Sequence, residues 1–368
     1  MAQGNDDDRN EVVSSQSLTP ELPTLCFDLI AEILCRLPVK LLIQLRCLCK
    51  FFNSLLSDPK FAKKHLQLST KRHHLMLFNR LDGFAMYDSP IPSVFPTSTV
   101  FTQTQLYHHI ITIGRNFVNV MRSCDGIFCG MLDVCYYFVW NPSIRKFKLL
   151  PPLENSLGHI FQLSFGYDHF IHNYKVIIDT SRNEVFVYTL GTDHWTTIED
   201  IPDDYSICGS GIFVSGAVNW YAEDESDSLY FILSLDLENE SYQELYLPDF
   251  ENESYLYRKL GVLRDCLCVF ETSEMFLNVW IMNEYGNEES WTKLFHVPKV
   301  HDHQGLKAYK PLYIFEDEKL LVEFFDVESC DRKFVVYDSK TATFNILEFQ
   351  NNYAQMNPKV YIESLISP

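Results

Sequence analysis

The stretch YYFVWNPSIRKFKLLPP, residues 136–152, runs from an apolar segment through a turn of Asn, Pro and Ser to Phe147, a second short apolar segment and a proline pair. Apolar run, turn residues and shorter run together read as an antiparallel hairpin. The same layout returns in EVFVYTLGTDHWTTIEDIP (184–202), LYFILSLDLENESYQELYLP (229–248), LNVWIMNEYGNEESWTKLFHVP (277–298) and KFVVYDSKTATFNILEF (333–349).

The aromatic after each turn falls at Phe147, Trp195, Tyr242, Trp291 and Phe344, in steps of 48, 47, 49 and 53 residues. An apolar strand precedes several of the hairpins, bearing glycine in SCDGIFCGML (123–132), GSGIFVSGAVNWYA (209–222) and KLGVLRDCLCVF (259–270) and none in YIFEDEKLLVEFF (313–325). That period, at about four strands per repeat, is the period of a β-propeller blade. HLMLFNRLDGFAMYDSP (74–90), YHHIITIGRNFVNVMRS (107–123) and KVYIESLISP (359–368) supply strands for a sixth blade closed by the C-terminus, which removes the two edges an open array leaves exposed. Regular spacing of the Trp and Tyr residues assigns them to packing between blades rather than to ligand binding.

Upstream of His73 the pattern is helical. LPTLCFDLIAEILCRLP (22–38) sets Phe27, Ile30, Ile33, Leu34 and Leu37 against Asp28, Glu32 and Arg36, and Pro38 stops the helix. Further helices run through Leu41, Leu42 and Leu45, through CKFFNSLL (49–56), and from Asp58, which caps, with Pro59 in the first turn. Of the 35 residues from Leu22 to Leu56, 23 are apolar. So short a unit cannot bury them by itself, and the excess must meet either the rest of the chain or a partner.

The 368 residues carry a formal charge of −19, unevenly distributed. Between Glu21 and Arg72 nine Lys or Arg stand against four acids, a net +5, whereas the remainder is strongly acidic. A basic head on an acidic body suggests partners of opposite sign for each, and argues against nucleic-acid or anionic-membrane binding by the body. The 11 cysteines contain no CxxC pair and read as small buried residues of a reducing compartment. The first 20 residues have the composition of a disordered tail without a signal peptide, and no apolar run reaches membrane-spanning length, so a cytoplasmic or nuclear location is expected.

No GxSxG, P-loop or HExxH motif is present. The adjacent pairs His73-His74 and His108-His109 are poor chelates, because neighbouring residues on a strand face opposite ways, and His301–His303 lies in a polar stretch after a strand, so no metal site is expected. No catalytic residue, metal or cofactor is expected. The acidic runs IEDIPDDYS (198–206), YAEDESDS (221–228), PDFENESY (248–255) and IFEDEK (314–319) lie in connections between strands. Were they to share a propeller face, with Tyr205, Tyr221, Tyr255 and Tyr257 among them, that rim would suit a basic protein or peptide. Asp203, Asp204, Tyr205, Glu223, Asp224 and Glu225 are the candidate substrate-binding residues.

Leu22-Pro23, Ile33-Leu34, Leu37-Pro38-Val39-Lys40, Leu45-Arg46, Cys49-Lys50, Leu55, Asp58-Pro59 and Phe61 resemble, in order, the F-box by which ubiquitin-ligase receptors grip the Skp adaptor. Phe52 stands where plant members usually have Trp, and Phe51 replaces a small polar residue. SCDGIFCG, VWNPSIRKFKLLPP, FGYD, SGAVNW, SLDLENESYQEL and YIESLISP resemble the plant F-box associated domain, kin to kelch propellers, although the paired glycines of kelch repeats are missing. The chain also resembles the S-locus class, whose partners are basic secreted ribonucleases.

These resemblances imply a mainly β chain: a tail over residues 1–20, an F-box over 21–68 and a kelch-like propeller of about six blades over 73–368. They imply a non-catalytic substrate receptor of an SCF-type ubiquitin ligase, bound through the adaptor to a cullin, with an unidentified protein target. Adaptor contact would fall to Leu22, Pro23, Leu29, Ile33, Leu34, Leu37, Pro38, Lys40, Leu45, Arg46, Lys50 and Phe52. The alternative is a carbohydrate- or metabolite-binding propeller with no link to ubiquitin, its helical head an oligomerisation element.

Overall fold

The computed structural model describes residues 27–68, 71–79, 85–91, 100–101, 104–106, 121–133, 136–153, 161–250, 255–273, 275–298, 306–326, 331–349 and 357–368. Four short helices, α1 (Phe27–Leu34), α2 (Val39–Arg46), α3 (Lys50–Leu56) and α4 (Pro59–Leu68), precede a six-bladed propeller. The starts of α2 and α4 follow from local chemistry. The Pro38 carbonyl accepts from the Leu41 and Leu42 amides, and Asp58 Oδ1 accepts from the Lys60 amide at 2.9 Å.

Blades 2 to 6 are antiparallel meanders, each ordered from the axis outwards: 121–149, 161–197, 205–245, 257–298 and 306–346. In blade 4 the innermost strand is broken into Tyr205–Ile207 and Ile212–Val214, both paired with Ala217–Asp224. Blade 1 takes its inner strand, Asn357–Ile362, from the C-terminus and its other three, His73–Asn79, Ala85–Pro90 and Thr104–Leu106, from the start of the body. Of YHHIITIGRNFVNVMRS, the part beyond residue 120 forms the inner strand of blade 2 and the rest lies outside the described residues.

The post-turn aromatics do the packing expected of them. Trp195 Nε1 donates to the Pro151 carbonyl, Tyr242 Oη to that of Glu199 and Trp291 Nε1 to that of Tyr246, at 2.9, 2.9 and 3.1 Å. Each bond reaches back to the exit of the preceding blade's outer strand, so one residue type per repeat both fills the gap between blades and fixes their angle. The recurrence of 47 to 53 residues is thus the recurrence of this wedge.

The C-terminal strand is pinned against blade 2 where it ends. Asn141, fully buried at the end of the third strand of blade 2, donates from Nδ2 to the Ser364 and Ile366 carbonyls at 3.1 and 2.8 Å. Gly126 has φ +79°, and any Cβ there would collide with the Ile362 carbonyl and Ser364.

His74 lies between two carboxylates, its Nδ1 3.0 Å from Asp88 Oδ1 and its Nε2 3.5 Å from Glu363 Oε1, and Tyr361 Oη donates to Asp88 at 3.0 Å. Burial opposes the imidazolium, but the two acids outweigh it and lift the pKa to about 9. Because this lies above the ordinary value near 6.5, the stabilisation is complete below about pH 6.5 and is lost as pH rises through about 9. The urea midpoint should fall between pH 6 and pH 9.5, and His74→Phe should remove most of that slope; an unchanged slope would detach it from this group.

Candidate functional sites

A propeller has two faces, set by chain direction. Turns joining the first strand to the second and the third to the fourth lie on one face; loops joining the second to the third, and crossings between blades, lie on the other. The helical head sits on the first of these. Lys63 Nζ donates to the His172 carbonyl at 3.1 Å in the first turn of blade 3, and Lys71 pairs with Asp265 in the first turn of blade 5.

The head's own core is continuous with the body's. Leu34, Cys35, Val39, Leu42, Leu56, Phe61 and Ala62 belong to one buried cluster with Ile127, Tyr137, Val139, Phe165 and Tyr188 of blades 2 and 3. His65, buried beneath, bonds the Leu37 carbonyl through Nε2 at 2.9 Å, and its burial lowers the pKa so that the ring stays neutral. Glu32 ties α1 to α4 through Lys64 at 2.9 Å, with Arg36 at 3.1 Å. The excess apolar surface is therefore met in part by the same chain.

It is not met entirely. Leu29 and Ile33 on α1, Leu41 on α2, Leu48 between α2 and α3, and Phe51 on α3 remain 55, 54, 46, 69 and 39 % exposed. Of the twelve expected contact residues, Leu29, Ile33, Lys40 and Lys50 are exposed, and Leu37, Pro38, Leu45, Arg46 and Phe52 are half-buried. Leu34, expected at the adaptor surface, is 5 % exposed and part of the internal core, because one residue along a helix rotates about 100° away from Ile33. Leu22 and Pro23 lie outside the described residues. Leu41, Leu48 and Phe51 were not among the expected contact residues, although Leu48 and Phe51 stand three apart in the same apolar run.

The acidic candidates gather on the opposite face. Asp203 and Asp204 end the crossing from blade 3 to blade 4 and Tyr205 opens the strand after it, while Glu223 and Asp224 end the second strand of blade 4 and Glu225 begins the loop to the third. The Glu225 amide donates to the Asp204 carbonyl at 2.8 Å, which holds the two loops together. Between blades 3 and 4 lies a cleft of about 480 Å³ whose lining includes Asp203, Tyr205 and Glu225. Tyr205 Oη donates to Glu244, a bond that pushes the phenol up to about 12. Asp224 accepts from the Ser226 hydroxyl and amide at 2.6 and 2.8 Å, which lowers its pKa.

At the cleft's inner end Asp179 is 2 % exposed, and burial raises its pKa to about 7 although Trp220 Nε1 donates to it at 3.2 Å. Its sequence signal was a lone carboxylate inside the apolar run KVIIDT. Two expectations for the rim change. Glu316, Asp317 and Glu318 of IFEDEK occupy a first-to-second turn and so lie on the head's face, and Tyr221 is buried and stacked on Tyr230 rather than displayed. Residues 251–254 lie outside the described set. No group of three or more His, Cys, Asp or Glu among the described residues is arranged to hold a metal ion, and no described helix is long and apolar enough to cross a membrane.

Comparison with known proteins places both parts of the chain. Residues 22–64 match the F-box domain and residues 86–368 the F-box associated beta propeller domain. The F-box/kelch-repeat protein At3g23880 of Arabidopsis thaliana is 27 % identical over 94 % of this chain and 96 % of its own length. The F-box protein CPR1 of the same plant is 25 % identical over 94 % and 89 %, and the putative F-box protein At3g10430 is 32 % identical over 74 % and 75 %. Among solved structures, the Aleuria aurantia lectin has a TM-score of 0.44 at 11 % identity, covering 74 % of this chain and 90 % of its own. With an F-box docked on one face of a six-bladed ring and the family match running to the last residue, the chain belongs to the plant F-box proteins that carry an F-box associated beta propeller domain.

Proposed function

We propose that this protein is the substrate-recognition subunit of an SCF-type ubiquitin ligase: the F-box binds a Skp-type adaptor and through it a cullin, and the propeller holds a basic protein target. The observation that carries this reading is the opposition of two surfaces. An apolar stripe of Leu29, Ile33, Leu41, Leu48 and Phe51 is left exposed on a head whose inner side is fixed in the propeller core, and an acidic cleft opens on the far face. The stripe offers the hydrophobic centre of an interface, with Lys40, Lys50 and Arg46 at its margin for an acidic adaptor. The chain itself makes and breaks no bond in this scheme; a rigid link between the two surfaces raises the effective concentration of target at the ubiquitin-charged enzyme.

The test is reconstitution of the full chain with a plant Skp adaptor, cullin and RING subunit, followed by ubiquitin transfer onto proteins it retains. Transfer dependent on the F-box stripe supports the reading. Association with cullin and no transfer to any retained protein would make the chain a scaffold instead. Within the same assay, replacing Asp203, Asp204 and Glu225 together by Lys should weaken target capture about tenfold or more at low salt while adaptor binding is unchanged. Equal capture by the triple variant would remove the rim from the recognition surface.

A further inference from the structure

The axis of the propeller carries a charge that neither the F-box nor the acidic rim uses. Arg122, Lys259, Lys310 and Lys359 lie on the innermost strands of blades 2, 5, 6 and 1, four consecutive blades around the ring. They sit close enough to act on one another. Glu323 favours both ammonium groups, but the charges of Arg122, Lys259 and Arg332 disfavour that of Lys310, and those of Lys310 and Arg122 disfavour that of Lys359. Burial acts first in both cases, and the two pKa values are lowered.

Among the described residues, the acids that act on these cations, Glu323 and Asp179, are fewer than the cations and offset them only in part. Glu323 is 1 % exposed and paired with Arg332, and Asp179, which faces Arg122, accepts from Trp220 and has its pKa raised by burial. Lys259 lies over the Tyr257 ring at 4.9 Å, and Arg122 Nη1 donates to the Met121 carbonyl at 3.2 Å. Arg122 Nε is buried without a hydrogen-bond partner among the described residues, and neither the Lys310 nor the Lys359 ammonium has a hydrogen bond or ion pair to any of them. Converging, partly desolvated cations with unfilled donors are costly to keep unless an anion completes them.

We propose that the axial channel, at the half facing away from the F-box, is a binding site for a compact oxyanion of the phosphate class, held by Arg122, Lys310 and Lys359 with Lys259 adding its field. Arg122, Lys259 and Lys359 each stand second or third in strands that begin on the cleft face, so the site opens beside the acidic rim. That face is then bipolar, with a cationic centre inside an anionic edge. The phosphate group has two sources, a free polyphosphorylated metabolite or a phosphorylated side chain of a bound protein, and valency separates them. The site is a property of the propeller alone and does not require the ligase reading.

The experiment is thermal unfolding and calorimetric titration of the full chain with inorganic tripolyphosphate and, separately, O-phosphoserine. The expected result is a rise in Tm and binding that weakens with salt. Lys310→Gln and Lys359→Gln should each weaken it about tenfold or more. Tripolyphosphate binding more than tenfold tighter than O-phosphoserine would assign a free polyanion; similar affinities would assign a phosphorylated side chain. A second readout guards against a merely structural role. Relief of mutual repulsion should raise the Tm of ligand-free Lys310→Gln/Lys359→Gln above that of wild type, and single Lys359→Gln should do so to a lesser degree. Absence of binding by wild type, binding by the double variant as tight as wild type's, or a lowered Tm in the ligand-free variants would each overturn the proposal.

Discussion

A chain ending at residue 356 should fail to form a soluble, cooperatively folding propeller. The missing strand, Asn357–Ile362, is the innermost of blade 1, and six residues of His73–Asn79 would lose their ladder partner. His74 would lose Glu363, Asp88 would lose the Tyr361 hydroxyl, and the four-bond clamp around Asn141 would lose every acceptor beyond its own turn. Leaving buried polar groups unsatisfied costs roughly 1–3 kcal/mol each, and a domain is stable by only about 5–15 kcal/mol. The open ring would also present two unpaired edges, the template for aggregation. Expression and size-exclusion of the truncated chain beside the full one checks this; a monodisperse truncated propeller with a single unfolding transition would contradict it. Asn141→Ala offers the graded form, with an expected loss of about 2–4 kcal/mol.

Much of this architecture was legible in the sequence because propeller repeats are local. A hairpin, a turn of Asn, Asp or Gly and a wedge aromatic fit inside about 20 residues, so each blade announces itself, and the run KVYIESLISP at the end contained most of the closing strand. The acidic loops were legible as charge, but not their faces. Whether a loop lies beside the F-box or opposite it depends on counting strands from the axis, and for that reason IFEDEK changed sides while IPDDY and EDE came together. The channel cations were invisible. Each of Arg122, Lys259, Lys310 and Lys359 is an unremarkable basic residue on its own strand, and only ring closure brings four distant segments to one axis. In the head, helical periodicity named the apolar residues without dividing them, since the exposed Leu41 and Leu48 are as apolar as the buried Leu42 and carry no mark of the side they face.

That division supports the second large effect. Ile33→Asp with Leu48→Asp should abolish adaptor binding, by a hundredfold or more, and leave the unfolding free energy within about 0.5 kcal/mol of wild type. Both side chains are more than half exposed, so charge there costs the free protein little, yet it would desolvate a carboxylate at the centre of an apolar interface. Leu42→Ala is the converse. With no exposure, Leu42 sits in the buried cluster that head and propeller share, and its loss should cost about 2–5 kcal/mol of stability. Isothermal titration and urea unfolding of the two variants separate the surfaces. Parallel losses of binding and stability in both would mean that the exposed stripe is no distinct binding surface.

In the proposed scheme the F-box stripe is one half of an interface, and the decisive measurement is light scattering of the purified full chain mixed with a plant Skp adaptor. The expected result is a stable one-to-one complex that the Ile33→Asp/Leu48→Asp chain does not form. A folded, monomeric wild-type chain that elutes apart from several such adaptors, or a variant that binds them as wild type does, would contradict it.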